Sequence, residues 1–183
     1  AVQSPNIYFT YYSAYAAGSM TTAFPAAPTG VSVGSPTVSS LRVAWSVVTS
    51  ASGYRIERSP DGSTGWAQVG TAPAGSTSFD DSGLAEAKRY YYRVTAYNAG
   101  GDSAPSASAS TATAVAAPTG LTAAALSGGR IDLSWTDVSS AETSYNVERS
   151  TNGVSWFALP SRPANTVSYT DLTDFDGSLT YQY

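Results

Sequence analysis

The densest set of oxygen ligands in the sequence is Asp171, Asp174 and Asp176, closed by Gly177. Carboxylates spaced around a glycine turn suit a calcium ion, which takes six to eight oxygens in flexible geometry. The competing reading is a turn bonded to its own backbone and to solvent, and it is the one preferred here, with no metal required. A second pair of chemically useful residues is Trp66 and Trp156. They follow the turn dipeptides Asp61-Gly62 and Asn152-Gly153. An exposed indole beside a hairpin turn could stack on a sugar ring. The same indole packed over a sheet edge would be structural.

Little else in the sequence can do chemistry. Histidine and cysteine are absent, which removes the commonest general base, disulfides and thiolate metal sites. There is no Ser/His/Asp set, no phosphate-cradling glycine loop and no carboxylate pair with a reason to share a cleft. The chain reads as a non-enzyme without cofactors. Arg-Gly-Asp and Asn-x-Ser/Thr triplets are missing as well. Charged residues make up 12% and the formal net charge is −4. Nothing forms a basic patch for nucleic acid, and no apolar run is long enough to span a bilayer as a helix. Low charge with Ala, Ser, Thr and Gly on the surface suits a secreted protein. An opening at Ala1 without a signal pattern fits a processed secreted chain or a fragment.

The elements that must position these residues are strands. Arg89–Asn98 alternates inward at Tyr90, Tyr92, Val94 and Ala96, the period of a half-buried strand. Leu41, Val43 and Trp45 alternate likewise, as do Tyr54 and Ile56. Glycine turns fall about every ten residues, which argues an antiparallel sandwich. The pattern then repeats about ninety residues on. Ala27-Pro28-Thr29-Gly30 returns as Ala117-Pro118-Thr119-Gly120, and Leu41–Trp45 as Ile131–Trp135. Tyr54–Ser59 returns as Tyr145–Ser150, Trp66 as Trp156, Phe79 as Tyr169 and Asp81 as Asp171. Such a period marks tandem duplication.

Residues 1–24 stand apart from the repeat. Ile7–Tyr15 is aromatic and reads as a strand, with Ile7, Phe9, Tyr11 and Tyr15 on one face and Tyr8 and Tyr12 on the other. Aligned with Tyr90–Gly100, Tyr8–Gly18 also fits the end of a preceding repeat. Against that, Gly18 lies only 10 residues before Pro28, whereas Gly100 lies 18 before Pro118.

Ala-Pro-Thr-Gly, the tryptophan of the second strand, Tyr-x-Ile/Val-x-Arg on the third, and Asp-x-x-Leu before Tyr-x-Tyr-Arg-Val together resemble fibronectin type III domains. The resemblance implies an all-β fold of tandem Ig-like antiparallel sandwiches: residues 25–115 complete, residues 116–183 lacking the last strand, and 1–24 as an added β segment. It further implies that Trp45 and Trp135 are core residues and that the hydroxyls of Tyr90 and Tyr181 bond nearby backbone. It puts the acidic cluster in a loop and Trp66 and Trp156 over a sheet edge. Trp45, Trp135, Tyr54, Tyr145, Val43 and Leu133 are the expected core.

Tyr183 aligns with Tyr92, so counterparts of Val94, Ala96 and the last strand are not in residues 116–183. That leaves an edge at Leu179, Tyr181 and Tyr183 able to accept a strand, while Ile7, Tyr8, Phe9, Tyr11, Tyr12 and Tyr15 form a candidate donor. Two functions follow as expectations. One is a structural subunit of an extracellular surface filament, a homo-oligomer assembled head-to-tail by strand exchange. The other is a tandem spacer or binding module of a larger secreted enzyme or adhesin, with carbohydrate contacts at Trp66 and Trp156.

Overall fold

A computed structural model describes residues 23–173 and 175–183. The expected donor residues Ile7–Tyr15, and Asp174, lie outside them. The described residues contain strands and turns with no helix.

The first unit carries eight strands: β1 (Ser32–Gly34), β2 (Ser40–Ala44), β3 (Gly53–Ser59), β4 (Ala67–Pro73), β5 (Ser78–Ser82), β6 (Arg89–Asn98), β7 (Gly101–Asp102) and β8 (Ala109–Ala112). They form one sheet in the order β1-β2-β5 and a second in the order β4-β3-β6-β7, with β8 also paired to β6. The alternation explains the layers. On β2, Leu41 and Val43 turn inward while Arg42 faces out to Asp80. On β6, Tyr90, Tyr92, Val94 and Ala96 are all buried. The hairpin between β3 and β4 turns at Gly62, whose φ of +80° a side-chain-bearing residue rarely adopts.

The second unit carries β9 (Thr119–Leu126), β10 (Arg130–Thr136), β11 (Ser144–Tyr145), β12 (Glu148–Arg149), β13 (Phe157–Ala158), β14 (Arg162–Pro163) and β15 (Ser168–Asp171). One sheet runs β15-β10-β9, and the opposite layer consists of two separate pairs, β11-β14 and β12-β13. The contrast with the first unit has a physical cause. There β3 runs unbroken for seven residues between β4 and β6. In the second unit the same stretch has a partner on one side only and divides at Asn146 and Val147. Among the described residues, the link on the other side is the bridge of Ser150 to Gln182. The buried core is correspondingly small, Leu133, Trp135, Tyr145 and Val147.

The ends of the first unit are fixed by two side chains. Asn98 donates through Nδ2 to the Ala23 carbonyl at 2.9 Å. At the other end of β6, Glu86 accepts from the Ala116 backbone N–H at 2.6 Å and from the Ser139 hydroxyl of the second unit. Ten residues of strand between them span about 33 Å. Ala23 and Ala116 therefore sit at opposite poles of the first unit.

Candidate functional site

Asp171 is the end of β15 and only 1% exposed. Arg149 Nη1 donates to its Oδ2 at 2.8 Å, and the Tyr183 hydroxyl donates to the same oxygen at 3.0 Å. Its Oδ1 accepts from the Thr173 backbone N–H at 3.1 Å and from Thr173 Oγ1 at 2.6 Å. The expectation of a solvated turn is corrected here: the carboxylate points inward because Arg149 on β12 neutralises it. Asp176, by contrast, is exposed and caps its own turn, accepting from the Ser178 N–H and hydroxyl. The first unit contains the same buried set, with Asp81 accepting from Arg58 at 2.7 Å and from the Tyr92 hydroxyl at 2.8 Å. Carried on one sheet and bonded to an arginine of the other, each carboxylate ties the two layers together. Among the described residues, no three His, Cys, Asp or Glu side chains are grouped to hold a metal.

The protonation of Asp171 follows from these contacts. Burial pushes its pKa up, but the Thr173 hydrogen bonds, the Tyr183 hydroxyl and the Arg149 charge together hold it below the usual carboxylate value. A depressed carboxylate contributes stability that is complete above its unfolded pKa, about 3.9, and that is lost as pH falls through the folded value. The urea midpoint of the second unit should therefore hold between about pH 7 and 5 and fall below about pH 4. In Asp171→Asn that acid slope should flatten; an unchanged slope would assign it to other groups.

The tyrosine hydroxyls sit where the resemblance put them. Tyr90 accepts from the Ala85 N–H at 2.9 Å, and Tyr181 from the Asp176 N–H at 3.0 Å. Tyr181 also packs edge-on against Phe175 at 4.7 Å between centroids. Leu179 is exposed, in the turn whose N–H returns to the Asp176 carbonyl. Of the three expected acceptor residues, only Tyr183 borders an opening.

That opening is a cleft of about 310 Å³ along the free side of β11 and β12. Leu133, Trp135, Tyr145 and Val147 form its apolar floor, and Glu148 and Trp156 stand at its rim. The two tryptophans singled out from sequence part company. Trp66 is half-buried under the Arg93 guanidinium, 4.5 Å from its ring centroid. Trp156 is 43% exposed at the cleft. Sequence reasoning passed over Glu148, although its repeat partner Glu57, opposite Arg93, carried the signal.

The sequence profile described as fibronectin type III domain matches residues 26–112. Residues 26–112 are a fibronectin type III domain. A two-domain fibronectin type III segment of chicken tenascin superposes on 87% of the chain and 87% of itself, with a TM-score of 0.56 and 21% identity. That likeness is one of fold, and it extends the tandem arrangement over both units. Among curated proteins, a poly(3-hydroxybutyrate) depolymerase of Delftia acidovorans is 38% identical over 85 residues, 46% of this chain and 16% of the relative. Exoglucanase B of Cellulomonas fimi is 39% identical over 106 residues, 56% of this chain and 9% of the relative. The chain thus spans less than a fifth of the length of either relative.

Proposed function

We propose that this chain is a non-catalytic tandem fibronectin type III module of a larger secreted protein, acting as a spacer between its other parts. The observation that carries the reading is where the similarity falls: in a depolymerase and an exoglucanase, this chain matches only a small part of each. The geometry agrees with such a role. The buried carboxylates of Asp81 and Asp171 are spent on Arg58 and Arg149. Glu86 joins the linker and the second unit to the first through Ala116 and Ser139, which resists bending at the junction. A stiff spacer maintains separation, whereas a flexible linker samples collapsed conformations.

The test combines sedimentation velocity, negative-stain imaging and retention on cellulose, starch and poly(3-hydroxybutyrate). An elongated monomer that none of the polymers retains is the expected result. Retention that Trp156→Ala abolishes would convert the spacer into a carbohydrate- or polymer-contacting module. Head-to-tail fibres that disappear on deleting residues 1–16 would replace it with the filament subunit, Ile7–Tyr15 serving as donor strand.

A further inference from the structure

We propose that Glu86 locks the joint between the two units, and that a chain of hydrogen bonds ties this lock to the core of the second unit. Domains in tandem move relative to one another by default unless a large apolar interface holds them. Here the fixing is polar. Before it departs, the linker is sewn to the turn that precedes β6. Lys88 N–H donates to Thr113 Oγ1 at 3.0 Å, Thr113 N–H to the Lys88 carbonyl at 3.1 Å, and Thr113 Oγ1 to the Ala85 carbonyl at 2.7 Å. Ala116 N–H then donates to Glu86 Oε1 at 2.6 Å. Between this last tie and the start of β9 stand only Ala117 and Pro118. The proline ring fixes its own φ and keeps Ala117 out of the helical region, so few torsions are left to swing.

A short hinge does not by itself hold a direction; the second unit must also be gripped. Ser139, in the loop after β10, donates its hydroxyl to the same Glu86 oxygen. That hydroxyl accepts from the Ala141 N–H at 3.0 Å, which occupies its acceptor side and turns its proton to the carboxylate. Ser139 N–H donates to Asp137 Oδ1 at 3.2 Å. Asp137 also accepts from the hydroxyl of the buried Tyr145, a bond that pushes the phenol up to about 12. Tyr145 in turn packs on Trp135. The path from linker to core is therefore continuous through Glu86, Ser139, Asp137 and Tyr145.

The first unit shows that this path is an addition and not a requirement of the fold. Val47 follows Trp45 by the same interval as Asp137 follows Trp135. Without a carboxylate there, the Tyr54 hydroxyl accepts from the Val48 N–H at 2.8 Å. The aspartate occurs in the unit whose loop meets Glu86. Charge strengthens the lock: Ser139 and Ala116 hold the Glu86 carboxyl below its usual value, so both bonds are charge-assisted at neutral pH. Asp137 faces Glu86 with a like charge, and Lys88, on the same turn as Glu86, leans on the Tyr90 ring instead. Loss of the Ser139 bond would thus leave repulsion across the joint. The lock deepens the spacer reading and rests on it for its purpose, since a spacer that sets direction needs a fixed joint.

The test is backbone amide relaxation by NMR on the intact chain at neutral pH, which gives a rotational correlation time for each unit. The two units should share one time. Glu86→Ala should split it into two shorter times, and Asp137→Val, which copies the first unit, should do the same. Asp102→Asn, at the far end of β6 and paired with Arg55, should leave the time common. Unchanged amide shifts within the strands of each unit show that the variants remain folded, so a split reports the joint alone. Two separate times in the unaltered chain, a common time retained in either Glu86→Ala or Asp137→Val, or a split in Asp102→Asn would each overturn the proposal. Polymer retention or fibre growth would displace the spacer reading without changing these times, so the two failures are distinguishable.

Discussion

Trp45→Ala should destabilise the first unit by about 3–5 kcal/mol, the usual cost of emptying a large aromatic from a packed core. Trp45 is 4% exposed and meets the Tyr54 ring at 5.2 Å between centroids, tilted by 53°. Leu41, Val43, Tyr92 and Val94 fill the core around this pair, so neighbours already close-packed have little freedom to collapse into the void. Against a typical domain stability of about 5–15 kcal/mol, that loss removes about a fifth at the least. Trp135→Ala should cost less. Its ring makes the same tilted contact with Tyr145 at 5.4 Å, but one side faces the cleft, where a void would partly refill with water. A conservative variant separates packing from hydrogen bonding. Trp45 Nε1 is buried without an acceptor, and an unsatisfied donor is itself a cost. Trp45→Phe should therefore recover most of the stability lost in the alanine variant. Urea titration resolves these effects, and a shift below about 1 kcal/mol for Trp45→Ala would contradict the core assignment.

The parts of this fold legible from sequence are those written locally. Period-two alternation placed Leu41, Val43 and Trp45 inward, and each is buried. The Asp61-Gly62 and Asn152-Gly153 dipeptides marked turns whose glycines have φ of +80° and +70°. What the sequence obscured depends on partners distant in the chain. Asp171 looked solvent-facing because a lone carboxylate belongs in water; Arg149, 22 positions earlier, reverses that. Leu179 and Tyr181 looked like strand-edge residues because their alternation continues to Tyr183. The chain instead turns around Asp176, and only Gln182 pairs back, to Ser150. β9 has all eight residues exposed although most of its length pairs with β10. An apolar alternation at Leu121 and Ala123 says which face is available, and burial requires a layer opposite it.

Arg149→Ala should destabilise the second unit by about 3–5 kcal/mol, the penalty for leaving a buried carboxylate without its cation. The Asp171 side chain is 1% exposed and that of Arg149 18%, so water cannot readily take the place of the guanidinium. Tyr183 and Thr173 would still donate to the carboxylate, but neither cancels its charge. Arg149 also lies against the rings of Phe175 and Tyr181, at 5.4 and 5.6 Å from their centroids, so its removal loosens that end of the sandwich too. The equivalent Arg58→Ala should be milder in consequence, because twelve buried residues form the first core and four the second. Charge and packing are distinguished by a double variant. Arg149→Met with Asp171→Asn removes both charges while retaining bulk, and should restore much of the loss, since a buried ion pair is often no better than a well-packed neutral pair. Acid supplies an independent check. Without Arg149, burial raises the pKa of Asp171; once it is protonated no unpaired charge remains, so the Arg149→Ala penalty should shrink progressively as pH falls from about 7 to about 3. A penalty that stayed constant across that range would place its origin in lost packing against Phe175 and Tyr181.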